Sequence, residues 1–156
     1  MANFEVTAHM LVRKPVGQVF EAFVDPAITS RFWFTKSTGR LEPGKKLHWE
    51  WEMYGFGTPV HVKAVEPNAR IHVEWGTHDR VTQVEWRFEA RGDFTYVTVK
   101  NWGFPEDADL TRAAIDSKGG FTLLLAGAKI FLEHGIDPRF VLDHRPEAVV
   151  EAWRGR

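Results

Sequence analysis

Residues Leu47–Pro59 read LHWEWEMYGFGTP. Trp49 and Trp51 alternate with Glu50 and Glu52, and Met53 extends the apolar series. Strict alternation at period two marks a strand with one wet face and one apolar face. The apolar side of a sheet usually takes Leu, Ile and Val. Tryptophans there pose a choice: a core filled by rings, or a hollow lined by them.

Period two recurs on both sides of this stretch. Strands are expected near 4–12, 34–41, 46–53, 59–65, 70–76, 81–91 and 94–102. Turn residues separate them, at Glu42-Pro43-Gly44, Gly55-Phe56-Gly57, Pro67-Asn68, Thr77-His78-Asp79 and Gly92-Asp93. Strands joined by such short loops form an antiparallel meander, and a sheet of about seven strands curls.

Sorting the strands by parity separates two faces. Trp49, Trp51, Met53, Val60, Val62, Ala64, Ile71, Val73, Trp75, Val84, Trp86, Phe88, Val97 and Val99 fall on the inner one. The outer one mixes acids and bases, including His48, Glu50, His61, Lys63, Glu74, Glu85 and Arg87. That mixture is what cross-strand charge pairs on a solvated face look like. Glu50 and Glu52 therefore read as surface, not as an acid pair.

The helical signals are few. Pro15 opens a helix carrying Val16, Val19, Phe20 and Phe23, and Asp25-Pro26 ends it and begins a second short one. A long helix is predicted from about 110 to 134, between Asp109 as N-cap and Gly135, with a stripe of Phe121, Leu124, Leu125, Ala128 and Leu132. Gly119-Gly120 costs about 1 kcal/mol per glycine against Ala and implies a kink or a close approach. The tail reads as an extended piece and then a short amphipathic helix opening at Pro146. Its Val149, Val150 and Trp153 are expected to pack on the pocket rim or on a second subunit in a homodimer. The fold class is α+β: a curved antiparallel sheet of about seven strands wrapped around a long C-terminal helix, with two short helices after the first strand. The domain spans 4–135, and 136–156 is a C-terminal extension.

A chain of 156 residues is long enough for a sizeable core. A net charge of -1 gives no field for nucleic acid or anionic lipid. Without cysteine there is no thiol nucleophile, thiolate metal site or disulfide. MANFEVTAHMLVRKP lacks the pattern of a secretion signal, and the apolar run near FTLLLAGAKIFL is too short to span a bilayer. A soluble cytoplasmic protein is expected. Seven Trp and twelve Phe are the unusual feature, as core filler or as pocket lining.

Chemical motifs are sparse. There is no metal-ligand spacing, phosphate loop or dinucleotide fingerprint, so no cofactor or metal is expected. Ser30, Ser37 and Ser117 lack a nucleophile-elbow context. His9, Asp116, Lys118 and the Asp143–His144 pair read as surface groups, and His134 complements the helix dipole. No catalytic set emerges. Asn101 follows Val97 and Val99 to the inner face at a strand end, where its amide either orients a ligand oxygen or bonds backbone. The candidate ligand-facing residues are Trp33, Trp49, Trp51, Met53, Val73, Trp75, Trp86, Asn101, Phe121 and Leu125.

Four stretches in this order resemble the SRPBCC (START/Bet v-like) superfamily: MLVRKPVGQVFEAFVDPAITSRFW, VHVKAVEPNARIHVEW, VTVKNWGF and GGFTLLLAGAKIFLEHG. The nearest branch is related to the C-terminal domain of the heat-shock-protein-90 ATPase activator. Phe121 stands where a tryptophan is usual, and Asn101-Trp102-Gly103-Phe104 where His-Ser-Gly-Phe is common. The resemblance covers about residues 4–135. It implies a helix-grip fold with a hydrophobic cavity between sheet and long helix. Three functions are compatible with it: binding of an apolar or aromatic small molecule, with a link to stress; a cyclase- or hydratase-like enzyme using the same cavity; and a chaperone-cofactor module.

Overall fold

The computed structural model describes residues 3–156. β1 (Glu5–Val12) leads into α1 (Val16–Val24) and α2 (Pro26–Thr29). Six strands follow: β2 (Lys36–Ser37), β3 (Lys46–Trp51), β4 (Phe56–Glu66), β5 (Arg70–Trp75), β6 (Thr82–Arg91) and β7 (Phe94–Trp102). α3 (Leu110–His134) and α4 (Phe140–Asp143) complete the order. The strands form one antiparallel sheet, β1-β7-β6-β5-β4-β3-β2. The α+β architecture is the expected one: a meander, with the first strand laid beside the last and a long helix across the inner face. Among the described residues no helix is long and apolar enough to cross a membrane.

The period-two reading sorts the faces correctly, with one exception. Val60, Val62, Ile71, Val73, Val84, Trp86, Phe88, Val97 and Val99 are all buried. Ala64 is not an inner residue. A bulge after Val62 sets Ala64 opposite His72 and Val65 opposite Ile71, so the inner position passes to Val65. Outside, Glu74 meets Lys63 and His61, and Glu85 meets Arg70, as cross-strand pairs, while Arg87 reaches Glu85 along the same strand.

Asp25 ends α1 and caps α2, its carboxylate accepting from the Ala27 amide at 2.9 Å. α2 turns the chain so that Trp33 enters the sheet's hollow. Its ring lies 5.0 Å from Trp49, 5.5 Å from Trp51, 5.8 Å from both Trp75 and Trp86, and 6.2 Å from Phe121. Leu124, Leu125 and Ala128 of α3 are also completely buried. The central hollow is therefore filled by rings.

Several local expectations give way to identifiable hydrogen bonds. The strand at 34–41 shrinks to Lys36–Ser37, because the Ser37 hydroxyl bonds Gly39 and the Leu41 amide donates to Val24 instead of to a neighbouring strand. β3 ends at Trp51; Glu52–Tyr54 form a 3₁₀ turn closed by Gly55 at φ 59°, and β4 starts early, at Phe56. α3 has the expected limits, but Asp109 makes no side-chain cap. Its amide instead donates to Asp107. No close approach occurs at Gly119-Gly120, where α3 runs on uninterrupted and a Cβ at either position would meet nothing within 4 Å. The tail does not form a helix at Pro146. It makes one α turn at Phe140–Asp143 and two 3₁₀ turns, because the Val150 amide donates to Met53 at 2.8 Å and Val149 is buried. A continuing helix would pull both away.

Trp33→Ala empties the centre of the ring cluster and is expected to lower stability by about 3–5 kcal/mol in urea denaturation. The Glu85 carboxylate gives a pH signature. Burial pushes its pKa up, but hydrogen bonds from Arg70 and Arg87, each at 2.7 Å, outweigh that and hold it below its ordinary 4.5. A depressed folded pKa stabilises above about pH 4.5, and that contribution is lost as pH falls through the folded value. Glu85→Gln is therefore expected to cost about 1 kcal/mol at neutral pH and to flatten the acid limb of a stability-versus-pH curve.

Candidate functional site

Where Trp33 stops, space begins. The sheet end formed by β3, β4 and β5, the middle of α3 and the tail enclose a cleft of about 570 Å³. Trp33, Trp51 and Trp75 give it an aromatic wall, and Leu123 and Gly120 line it from α3. The absent Cβ of Gly120 leaves the cleft open at that point. A smaller cavity of about 320 Å³ lies on the other side of Trp75. The two share Trp33, Trp75, Arg80, Asp116 and Gly120 as common wall. A third space of about 280 Å³ separates Met53 and Gly127 from Phe140 of α4.

The turn after β5 positions part of this wall. Gly76 has φ 115°, and a Cβ there would stand 2.5 Å from the Arg80 carbonyl oxygen. Only glycine allows so tight a return. It delivers Arg80 to the rim, where Asp107 pairs with it at 2.5 Å. The opposite rim is tied by Arg145 of the tail to Asp116 of α3 at 3.2 Å. Tyr54 donates to the Val141 carbonyl and lies against His144, which joins the tail to the β3–β4 turn. Burial raises the Tyr54 pKa, keeping the phenol protonated for that bond.

The inner cavity has a polar floor. Asn101 is buried; its amide nitrogen donates to Thr82 Oγ1 at 3.0 Å and to the Gln83 carbonyl at 2.7 Å. Its oxygen accepts from the Ser117 hydroxyl at 2.7 Å. The Trp75 indole nitrogen donates to the same Thr82 oxygen at 3.0 Å. This network joins β5, β6, β7 and α3.

The residues expected to face a ligand thus separate into two groups. Trp33, Trp51, Trp75, Met53, Asn101 and Phe121 line one or more of the three spaces. Trp49, Val73, Trp86 and Leu125 lie in the filled core behind Trp33 and reach none of them. Trp86 Nε1 is buried with no hydrogen-bond partner among the described residues. Asp116 and His144 are exposed, as read from the sequence, and also border the cleft. The sequence reading passes over Thr82 and Arg80, and takes Ser117 only as a serine without a nucleophile-elbow context. Two of them carried a signal: Thr82 shares the parity of Val84 and Trp86, and Ser117 lies one turn before Phe121 on the α3 stripe. Among the described residues no three His, Asp or Glu side chains gather as metal ligands would.

Comparison with known proteins gives the family. Residues 13–131 match the model for "Activator of Hsp90 ATPase homolog 1-like protein". No curated protein matches the chain. Among solved structures, the protein SSP2350 from Staphylococcus saprophyticus is 32% identical, with a TM-score of 0.76 over 87% of this chain and 96% of that one. CalU16 from Micromonospora echinospora is 19% identical, with a TM-score of 0.70 over 96% of this chain and 85% of that one. The Aha1 dimer from Colwellia psychrerythraea is 15% identical, with a TM-score of 0.74 over 85% of this chain and 98% of that one. The last two likenesses concern the fold alone. With a family model matched over most of its length, this chain belongs to the activator of Hsp90 ATPase homolog 1-like family, within the SRPBCC-like proteins.

Proposed function

We propose that this protein binds an apolar, aromatic small molecule in the cleft beside Trp51 and Trp75. The observation that carries this reading is the cleft itself: about 570 Å³, walled by indole rings and sharing Trp33 and Trp75 with the inner cavity. That volume is in the range of small-molecule sites, and the lining has their character: mostly apolar, with a few fixed polar groups. Burial of apolar ligand surface contributes about 25 cal/mol per Å², and each good aromatic pairing adds about 0.5–1.5 kcal/mol. Phe56, 57% exposed at the rim, extends the apolar surface outward.

The charged groups on the wall favour binding over acid–base catalysis. Arg80 and Asp116 are each held in an ion pair, with Asp107 and Arg145.

Gly120 provides the test. Gly120→Leu places a side chain in the shared wall of both spaces, and its Cβ meets nothing within 4 Å. Removing a mid-helix glycine stabilises α3 by roughly 1 kcal/mol, so lost binding is not lost folding. The neutral dye N-phenyl-1-naphthylamine is expected to bind the wild-type protein saturably, with enhanced fluorescence. Gly120→Leu should weaken it at least about tenfold, a loss of about 1.4 kcal/mol. Gly119→Ala, one residue away and lining neither space, should bind as wild type. Equal dye affinity in wild type and Gly120→Leu would refute the cleft as the site. Native mass spectrometry of protein from its own host then identifies any molecule that co-purifies.

A further inference from the structure

We infer that the inner cavity is a hydrogen-bonding subsite in which the Thr82 hydroxyl donates to a neutral carbonyl oxygen of an aromatic ligand. This rests on the ligand-binding reading above and adds the ligand's chemical class.

The assignment follows from counting valences. A carbonyl oxygen only accepts, so the end of the Asn101 amide that faces the Gln83 carbonyl at 2.7 Å must be its NH₂. The second N–H of that group then donates to Thr82 Oγ1 at 3.0 Å. The Asn101 oxygen is thereby turned to Ser117, whose hydroxyl donates to it at 2.7 Å. An indole nitrogen only donates, so Trp75 also gives its proton to Thr82 Oγ1, at 3.0 Å. A hydroxyl has two acceptor positions and one donor. Both acceptor positions of Thr82 are occupied, and what remains is its O–H. Among the described residues none accepts that proton. Asn101, the residue the sequence points to, has both donors committed. Thr82 has one to give.

The surroundings define what takes it. Thr82 is 8% exposed and lines the inner cavity, so a partner must enter that space. A buried, unmatched donor is worth satisfying, because leaving one unpaired costs more than the mean hydrogen bond contributes. The ligand atom must therefore be an acceptor. Trp33, Trp75, Phe121 and Phe104 supply the cavity's apolar surfaces, which suit a flat aromatic body. Arg80 and Asp116 stand on the same wall with opposite charges. Together they favour no net charge on the guest, which selects a ketone-type oxygen over a carboxylate.

The test compares two probes with one skeleton, 9-fluorenone and fluorene, which differ in the carbonyl. Calorimetric or tryptophan-quenching titration of the wild-type protein is expected to give fluorenone about three- to tenfold tighter than fluorene. Thr82→Val should bring the ratio of fluorenone to fluorene affinity close to one, and Thr82→Ser should retain the wild-type ratio. The ketone stretch of bound fluorenone should lie at lower wavenumber in wild type and Thr82→Ser than in cyclohexane. Should Thr82→Val fold poorly, the wild-type preference and the wild-type infrared shift decide the matter. Saturable binding of both probes with equal affinity and an unshifted ketone stretch would overturn the subsite and leave the cleft reading standing. Binding of neither probe would overturn both.

Discussion

The insertion of Trp33 between the sheet and α3 is the contact on which the rest of this molecule depends. A curved antiparallel sheet gripping one helix leaves more inner surface than a single helix covers. Trp33 takes up the difference. It meets Trp49, Trp51, Trp75, Trp86 and Phe121 at ring separations between 5.0 and 6.2 Å. All five contacts are edge-on or tilted rather than face to face. Because one side of this cluster is packed to full burial, its other side can stand open without collapsing. Trp51 and Trp75 are braced from behind, and the cleft before them keeps its shape.

Period two in the sequence made the sheet and its inner face legible, since a strand with one buried face has only one register that keeps its apolar residues inside. The long helix was legible for the same reason, through the stripe from Phe121 to Leu132. What escaped was decided by hydrogen bonds that pattern does not encode. The Ser37 hydroxyl and the Leu41 amide shorten the second strand. The Val150 amide, by bonding Met53, holds the tail extended where its composition suggested a helix. The bulge at Lys63 reverses the sense of the last residues of β4, and a one-residue shift is enough to exchange faces.

The site was half legible for a related reason. Parity places a residue on a face but does not say whether the space in front of it is filled. Trp49 and Trp51 are two residues apart on one strand and face the same way, yet only Trp51 reaches the cleft. The difference is Trp33 and Phe34, which lie 5.0 Å from the Trp49 ring. Both come from a connection of no regular period, where the sequence offers no geometric guide. Thr82 was readable by parity, but threonine is common in strands and its presence alone carries little information.

The polar floor and the aromatic wall are linked through Trp75. Its ring forms part of the cleft, while its nitrogen is anchored to Thr82, and Thr82 in turn to Asn101. The bonds made within a buried network of this kind hold its members' rotamers. Asn101 cannot turn without breaking its bonds to both Gln83 and Ser117. Thr82 cannot turn without releasing both the amide and the indole. Strands β5, β6 and β7 and helix α3 therefore fix the orientation of one hydroxyl and one ring together. The interactions that close the fold at this end are the same ones that set the geometry of its cavity.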